Sequence, residues 1–252
     1  MEMKEIVEKV KRKKELSRVN ERLIMELIRK NKNYEKFLKE RKKIFEKRVI
    51  KEVRAMLRKL LTPMPALFYK KYSYFLKNVD KEIERILDMN LSFRERKNNY
   101  GWLIGEIKKI NPERILDIGC GFTLLAFYYF NFKPKAYIGV DIDGYVVDLI
   151  NRFMEVKRID GKVFCDFDFN FKTTRNDLIL ILKVLDGIEK IEKGKSEKII
   201  EMKGKKIVSF PLVTWGRKRK IKQRVWFEKI LKKHNLYFKK FEKGNEVFYF
   251  LD

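Results

Sequence analysis

The chain reads as an α/β protein, a doubly wound and mostly parallel sheet preceded by an all-α, basic N-terminal domain. Three observations predict this. From Asn111 onward, six short apolar runs alternate with amphipathic stretches, the pattern of right-handed βαβ units. Before Leu61, apolar residues recur at helical spacing with charges between them. The first apolar run after Asn111 leads directly into a pair of glycines, and open α/β sheets bind ligands at such carboxyl ends.

The elements follow in order. Ile6, Val10, Leu16, Val19, Leu23 and Leu27 mark a first helical stretch, and a break near residues 31–33 ends it. Leu38, Phe45, Val49, Val53, Met56, Leu57 and Leu60 mark a second. Thr62-Pro63-Met64-Pro65 terminates that one, because proline lacks an N–H and restricts the residue before it. Amphipathic helices are predicted over 66–76 and 81–89, and the helical domain is taken as 1–90 with the sheet domain at 91–252. Strands are predicted at 114–118, 136–140, 162–165, 178–182, 206–210 and 247–251. Helices are predicted at 124–130, 146–158, 188–202 and 222–234. The strands are nearly continuous apolar runs, as expected when helices cover both faces.

Composition narrows the function. Hydrophobic residues make up 45% of the 252, enough to bury a core and too many for a disordered chain. No apolar run approaches the ~18 residues of a membrane span, and the first 14 residues lack the apolar core of a signal peptide. Cys120 and Cys165 make no disulfide framework and suit a reducing cytoplasm. A single His234 argues against a zinc site or a Ser-His-Asp triad. Lysine and arginine number 61 against 35 acids, a net charge of +26. Lys/Glu enrichment with one glutamine, Gln223, also fits heat adaptation. Residues 1–100 carry +15, 101–200 carry +1 and 201–252 carry +10. Two basic ends around a neutral centre predict a polyanion partner, since phosphates reward each cation by counterion release.

The chemistry concentrates after the strands. Asp117-Ile118-Gly119-Cys120-Gly121 closes the first strand, where glycines let backbone approach a ligand. Asp141 ends the next strand about twenty residues on, where a carboxylate can accept both hydroxyls of a ribose. Asp166 follows the third strand and could receive the amine of an adenine. Asp143 and Asp148 read as helix-terminal and surface residues, and Cys120 as a small loop filler.

Together, L-D-I-G-C-G, I-G-V-D-I and Asp166 resemble the class I methyltransferases that use S-adenosylmethionine (SAM). The resemblance narrows with further segments. Ser92-Phe93-Arg94-Glu95-Arg96 is similar to the S-T-K-E-R element of the aminoglycoside-resistance 16S ribosomal RNA (guanine-N7) methyltransferases. Leu180-Ile181-Leu182-Lys183-Val184-Leu185, Val208-Ser209-Phe210-Pro211, the basic loop from Gly216 and Trp226-Phe227-Glu228 follow in that family's order. Asn90 stands where those enzymes often have His, and Phe93 replaces a Thr.

The resemblance implies a Rossmann-like domain, SAM as methyl donor and small-subunit ribosomal RNA as partner. It places Asp117, Gly119, Gly121, Asp141, Ile142 and Asp166 around the cofactor, with Arg96 on its methionine carboxylate. It sets Lys183 and a Ser209-Phe210-Pro211 turn against the target base. Arg217, Lys218, Arg219, Lys220, Lys222 and Arg224 would grip phosphate, and no metal is implied. A monomer is expected. Guanine N7 offers a lone pair without a proton, so no general base is needed, in keeping with one His and no evident acid–base pair. Cytidine N4 is the alternative, since Asp186 could accept a proton. A non-catalytic RNA-binding protein that kept the fold is the alternative of another class.

Overall fold

The computed structural model describes residues 2–213 and 224–252. Among them, seven strands form one sheet: β1 (Arg114–Ile118), β2 (Ala136–Asp141), β3 (Asp160–Cys165), β4 (Asp177–Leu182), β5 (Lys205–Pro211), β6 (Phe238–Lys243) and β7 (Glu246–Leu251). Their order is β3-β2-β1-β4-β5-β7-β6. The first five run parallel, and β7 lies antiparallel to both β5 and β6. Because β1 pairs with β2 on one side and β4 on the other, the order in which strands are added reverses there and opens a crevice beyond the carboxyl ends. All six residues of β4 are buried, as a central strand covered on both faces requires.

The N-terminal helices are α1 (Glu2–Lys11), α2 (Glu21–Arg29), α3 (Lys32–Glu40) and α4 (Lys43–Leu60). Val49, Val53 and Leu57 fall four residues apart on one face of α4 and pack with Ile6, Val10 and Leu23. Burying each such side chain contributes about 1.5–3 kcal/mol. Then come α5 (Ala66–Lys70), α6 (Tyr72–Lys77), α7 (Ile83–Met89), α8 (Leu91–Arg96) and α9 (Tyr100–Ile110). Phe68, Tyr72, Phe75, Ile86 and Leu87 of this group share a core with the sheet, not with α1 to α4. By packing, the change of core falls at the proline segment 62–65.

Around the sheet lie α10 (Thr123–Tyr129), α11 (Gly144–Lys157), α12 (Leu185–Ile191), α13 (Lys195–Glu201) and α14 (Val225–Lys233). The single helix predicted at 188–202 is two, parted at Gly194 with φ 84°, a left-handed backbone that glycine adopts without a Cβ penalty. The helix predicted at 66–76 also divides, at Lys71, whose backbone leaves helical geometry. The predictions omitted α8, α9 and β6. The last is the edge strand, with five of its six residues exposed and the sequence FKKFEK, so its charges hide the strand while guarding the edge.

The two helical and sheet regions are joined through backbone. The Asn20 N–H donates to Ile142 O at 2.9 Å, the Gly144 N–H donates to Arg18 O at 2.9 Å, and the Asn20 amide donates to Cys165 O at 2.7 Å. A Cβ on Gly144 would sit 2.6 Å from Arg18 O, so glycine is what admits this approach. Asn20 and Asp143 cap α2 and α11, accepting from the Leu23 and Tyr145 N–H groups at 2.9 Å each, worth about 1 kcal/mol apiece. Docked in this way, Met56, Lys59 and Leu60 near the C-terminal end of α4 come to the carboxyl ends of the strands. No helix among the described residues is long and apolar enough to cross a membrane.

Candidate active site

A cleft of about 250 Å³ opens at the carboxyl ends of β1, β2 and β4. Gly119, Gly121, Asp141, Ile142, Asp166 and Lys183 all line it. The glycine loop is shaped by backbone: the Gly119 and Cys120 N–H groups both donate to Val140 O, at 2.8 and 3.0 Å. Gly119 and Gly121 have φ of 68° and 48°. A Cβ on Gly119 would lie 2.5 Å from Val184 Cγ1, so the loops after β1 and β4 meet with no room for a side chain.

Asp141 is locked to that loop. One carboxylate oxygen accepts from the Gly121 N–H at 2.8 Å and the other from the Asp143 N–H at 3.0 Å. Burial raises its pKa, and those N–H groups pull it back. Asp166 accepts from the Phe167 N–H at 2.7 Å, and its own N–H donates to Asp141 O at 3.0 Å. The main chains that carry the two carboxylates are therefore tied together at the ends of β2 and β3. Asp143 caps its helix and Asp148 pairs with Arg18, so neither is a free ligand group.

Asp117 is fully buried beneath the loop and outside the cleft wall. Its Oδ2 accepts from the Tyr137 hydroxyl at 2.7 Å, while Oδ1 has no partner. Burial pushes this carboxyl up to about 7. Cys120 is also buried, and desolvation raises its thiol well above the usual value, which suits a filler and not a nucleophile.

Several expected positions differ. Residues 209–211 form no turn, because β5 continues through Pro211 in register with β7. Ser209 and Phe210 are fully buried, and none of the three lines the cleft. Phe210 packs on Phe227 and Tyr249, and Ser209 donates its hydroxyl to Glu246. Arg96 is 3% exposed and also absent from the cleft wall. Its guanidinium forks onto Glu246, with Nη2–Oε1 2.7 Å and Nε 3.1 Å from both oxygens. The reason is local: β7 begins at Glu246, opposite Pro211, and delivers a carboxylate under α8.

Arg224 does not present itself to solvent. It pairs with Asp186 at 2.8 Å, lies over the Phe210 ring at 5.2 Å, and its side chain is 15% exposed. Arg217, Lys218, Arg219, Lys220 and Lys222 lie outside the described residues.

Sequence reasoning missed the wall supplied by the helical region. Met56, Lys59 and Leu60 of α4, then Thr62 and Met64, close the cleft opposite the glycine loop. In the sequence these were part of a helical stripe and a helix stop, and nothing local distinguishes a cleft wall from a packing face. Asn90 lines the cleft as well, while capping α8 through the Phe93 N–H at 2.9 Å. Phe93 itself is buried against Tyr100 and Tyr129.

Solved structures share this architecture. The 16S rRNA methyltransferase RmtF in complex with S-adenosyl-L-homocysteine superposes with a TM-score of 0.79 at 18% identity, covering 99% of this chain and 97% of that one. The 16S rRNA methylase RmtB gives 0.75 at 19%, covering 99% and 98%. An rRNA methylase from Escherichia coli gives 0.74 at 19%, covering 99% of each. At these identities the likeness shows the fold, a Rossmann-like methyltransferase domain behind a helical region. No curated protein sequence matches the chain. A family model for ribosomal RNA methyltransferase (FmrO) matches residues 76–243, which takes in the glycine loop, Asp141, Asp166 and Lys183. With more than half of its length matched, the chain belongs to the FmrO ribosomal RNA methyltransferase family.

Proposed function

We propose that the protein is a SAM-dependent methyltransferase of 16S ribosomal RNA that modifies a guanine N7 in the decoding region. The observation that carries this reading is the cleft itself, in which Gly119, Gly121, Asp141 and Asp166 meet at the switch point of the sheet. These residues fit the donor. Asp141 can accept ribose hydroxyls, Asp166 can accept an adenine amine, and Gly121 leaves open space where a Cβ would stand. When bound, SAM supplies an electrophilic methyl on a sulfonium. The chain's part is alignment, which converts an encounter of two reactants into a nearly unimolecular step.

N7 is favoured by what the cleft lacks among its described residues. Exocyclic amines must lose a proton, and the acidic candidate near the β4 loop, Asp186, is engaged by Arg224 at 2.8 Å. An exocyclic amine calls for a base at that loop. N7 attack needs none.

Docking on the ribosomal particle is assigned to basic surface. A groove between α1 and α4 is lined by Lys9, Arg12, Lys13, Lys47, Lys51, Arg54 and Arg58, a row of cations suited to an RNA backbone. The protein is taken to act as a cytoplasmic monomer. The test is to incubate small subunits and naked 16S RNA with radiolabelled SAM, then to identify the nucleoside by mass spectrometry. 7-Methylguanosine supports the reading, N4-methylcytidine replaces the target, and RNA binding without transfer refutes the enzyme.

A further inference from the structure

We infer that Glu246 is a positioning residue of the methyl-transfer site, its buried carboxylate holding the Lys183 ammonium at the cleft wall. The inference rests on the methyltransferase reading of that cleft. Three segments distant in sequence converge on this carboxylate. Arg96 from α8 grips it with a two-toothed guanidinium, and Ser209 from β5 donates its hydroxyl to Oε1. Lys183, at the end of β4, places Nζ 3.4 Å from Oε2. Glu246 itself opens β7 and is 1% exposed.

Lys183 is the one of these groups that reaches the cleft. Its side chain is 13% exposed, and Nζ is also bound by Glu95 Oε2 at 2.9 Å. Its backbone is held too: φ is 65° and its N–H donates to Ser209 O at 3.0 Å. Ser209 thus fixes both the main chain of Lys183 and the carboxylate that faces its ammonium. A lysine stem has four rotatable bonds and no preferred geometry of its own. Two carboxylates reduce that freedom to one position beside the glycine loop.

The charges balance within the cluster, two cations against two anions, which is the condition under which buried ions persist. Burial would raise the Glu246 carboxyl, yet Arg96 and Lys183 hold it below the ordinary range. It therefore remains an anion for Lys183 at neutral pH.

The test is a double-mutant cycle on methyl transfer to small ribosomal subunits, with Glu246→Gln, Lys183→Met and the pair. Thermal melts monitor folding, and calorimetry with S-adenosylhomocysteine monitors the cofactor side. Glu246→Gln is expected to lower kcat about tenfold or more with KM for SAM unchanged, since a misplacement of order 1 Å costs up to about 100-fold. Lys183→Met is expected to lose at least as much, and the double variant no more than Lys183→Met, because the two act through one contact. A Glu246→Gln enzyme with wild-type kcat, or losses that multiply in the double variant, overturns the inference alone. A wild-type chain that transfers no methyl overturns the methyltransferase reading and the inference with it. If Glu246→Gln does not fold, Ser209→Ala keeps every charge and loosens the same carboxylate. A loss of kcat that vanishes in the Lys183→Met background is then expected, and unchanged kcat refutes the inference.

Discussion

Gly119→Ala probes the joint between the two loops that define the cleft. The alanine Cβ would stand 2.5 Å from Val184 Cγ1 and 3.1 Å from Cβ and Cγ2 of the same residue. Two costs combine. A left-handed φ of 68° costs a non-glycine residue about 1–2 kcal/mol. Forcing Val184 aside adds about 1–3 kcal/mol of overpacking. The unfolded chain, stiffer with alanine, returns about 0.4–1 kcal/mol. The net destabilisation is then roughly 2–4 kcal/mol. Gly121→Ala supplies the comparison, because its φ is 48° and nothing lies within 4 Å of the added Cβ. Only the backbone cost applies there, and the net effect is about 1 kcal/mol or less. Urea unfolding of both variants and of Gly119→Ala/Val184→Ala measures the difference. The double variant should recover the overpacking part, about 1–3 kcal/mol, as a coupling energy. Equal destabilisation at 119 and 121, or no coupling with Val184, refutes the reasoning.

Other consequences are independent of that joint. Asp117 has its carboxyl pushed up to about 7 by burial, so the folded chain holds this proton more tightly than the unfolded chain. Stability therefore falls as pH rises from about 4 to about 7, by up to roughly 4 kcal/mol. Asp117→Asn should flatten that slope in urea melts at stepped pH, and an unchanged slope counts against the assignment. Asp141→Ala should weaken S-adenosylhomocysteine binding by about 100-fold, the value of one or two charge-assisted hydrogen bonds. Calorimetry reads it directly, and affinity within threefold of wild type would discard Asp141 as the ribose ligand. Reversing the exposed Lys47 and Lys51 to Glu should lower subunit affinity and reduce the slope of log K against log salt, while leaving S-adenosylhomocysteine affinity unchanged. A constant slope would move the docking face elsewhere.

Much of the fold was legible because its signals are local. A β-strand buried on both faces must be apolar throughout, and 178–182 announces itself accordingly. A glycine pair after such a strand has few other uses, and Asp141 and Asp166 end strands whose boundaries were readable. The omitted elements carry opposing signals. In β6, solvent and edge protection selected lysines over the alternation that marks a strand. In the region 188–202, helical periodicity persisted across Gly194, and the extended backbone of Glu192 with the positive φ of Gly194 parts the two helices.

The candidate site divides along the same line. Gly119, Gly121, Asp141, Ile142 and Asp166 were readable because each sits at the end of its own element, and strand order brings those ends together. The expected roles of Arg96, Ser209 and Phe210 depended on which face of an element looks into the cleft. That was decided by pairing between β5 and β7, whose register puts Glu246 beside Pro211 and draws Arg96 inward. Arg224 was likewise read as surface charge until Asp186 and Phe210 claimed it.

The sequence by itself determined the class of sheet, the end at which its cleft opens and the uneven distribution of positive charge, because periodicity, turn chemistry and charge are properties of short segments. Only the tertiary structure decided that α4 walls the cleft, that Glu246 gathers Arg96, Ser209 and Lys183, and which cations remain on the surface. These are contacts between segments as far as 150 residues apart, and a pairwise distance across the fold leaves no mark on either segment alone.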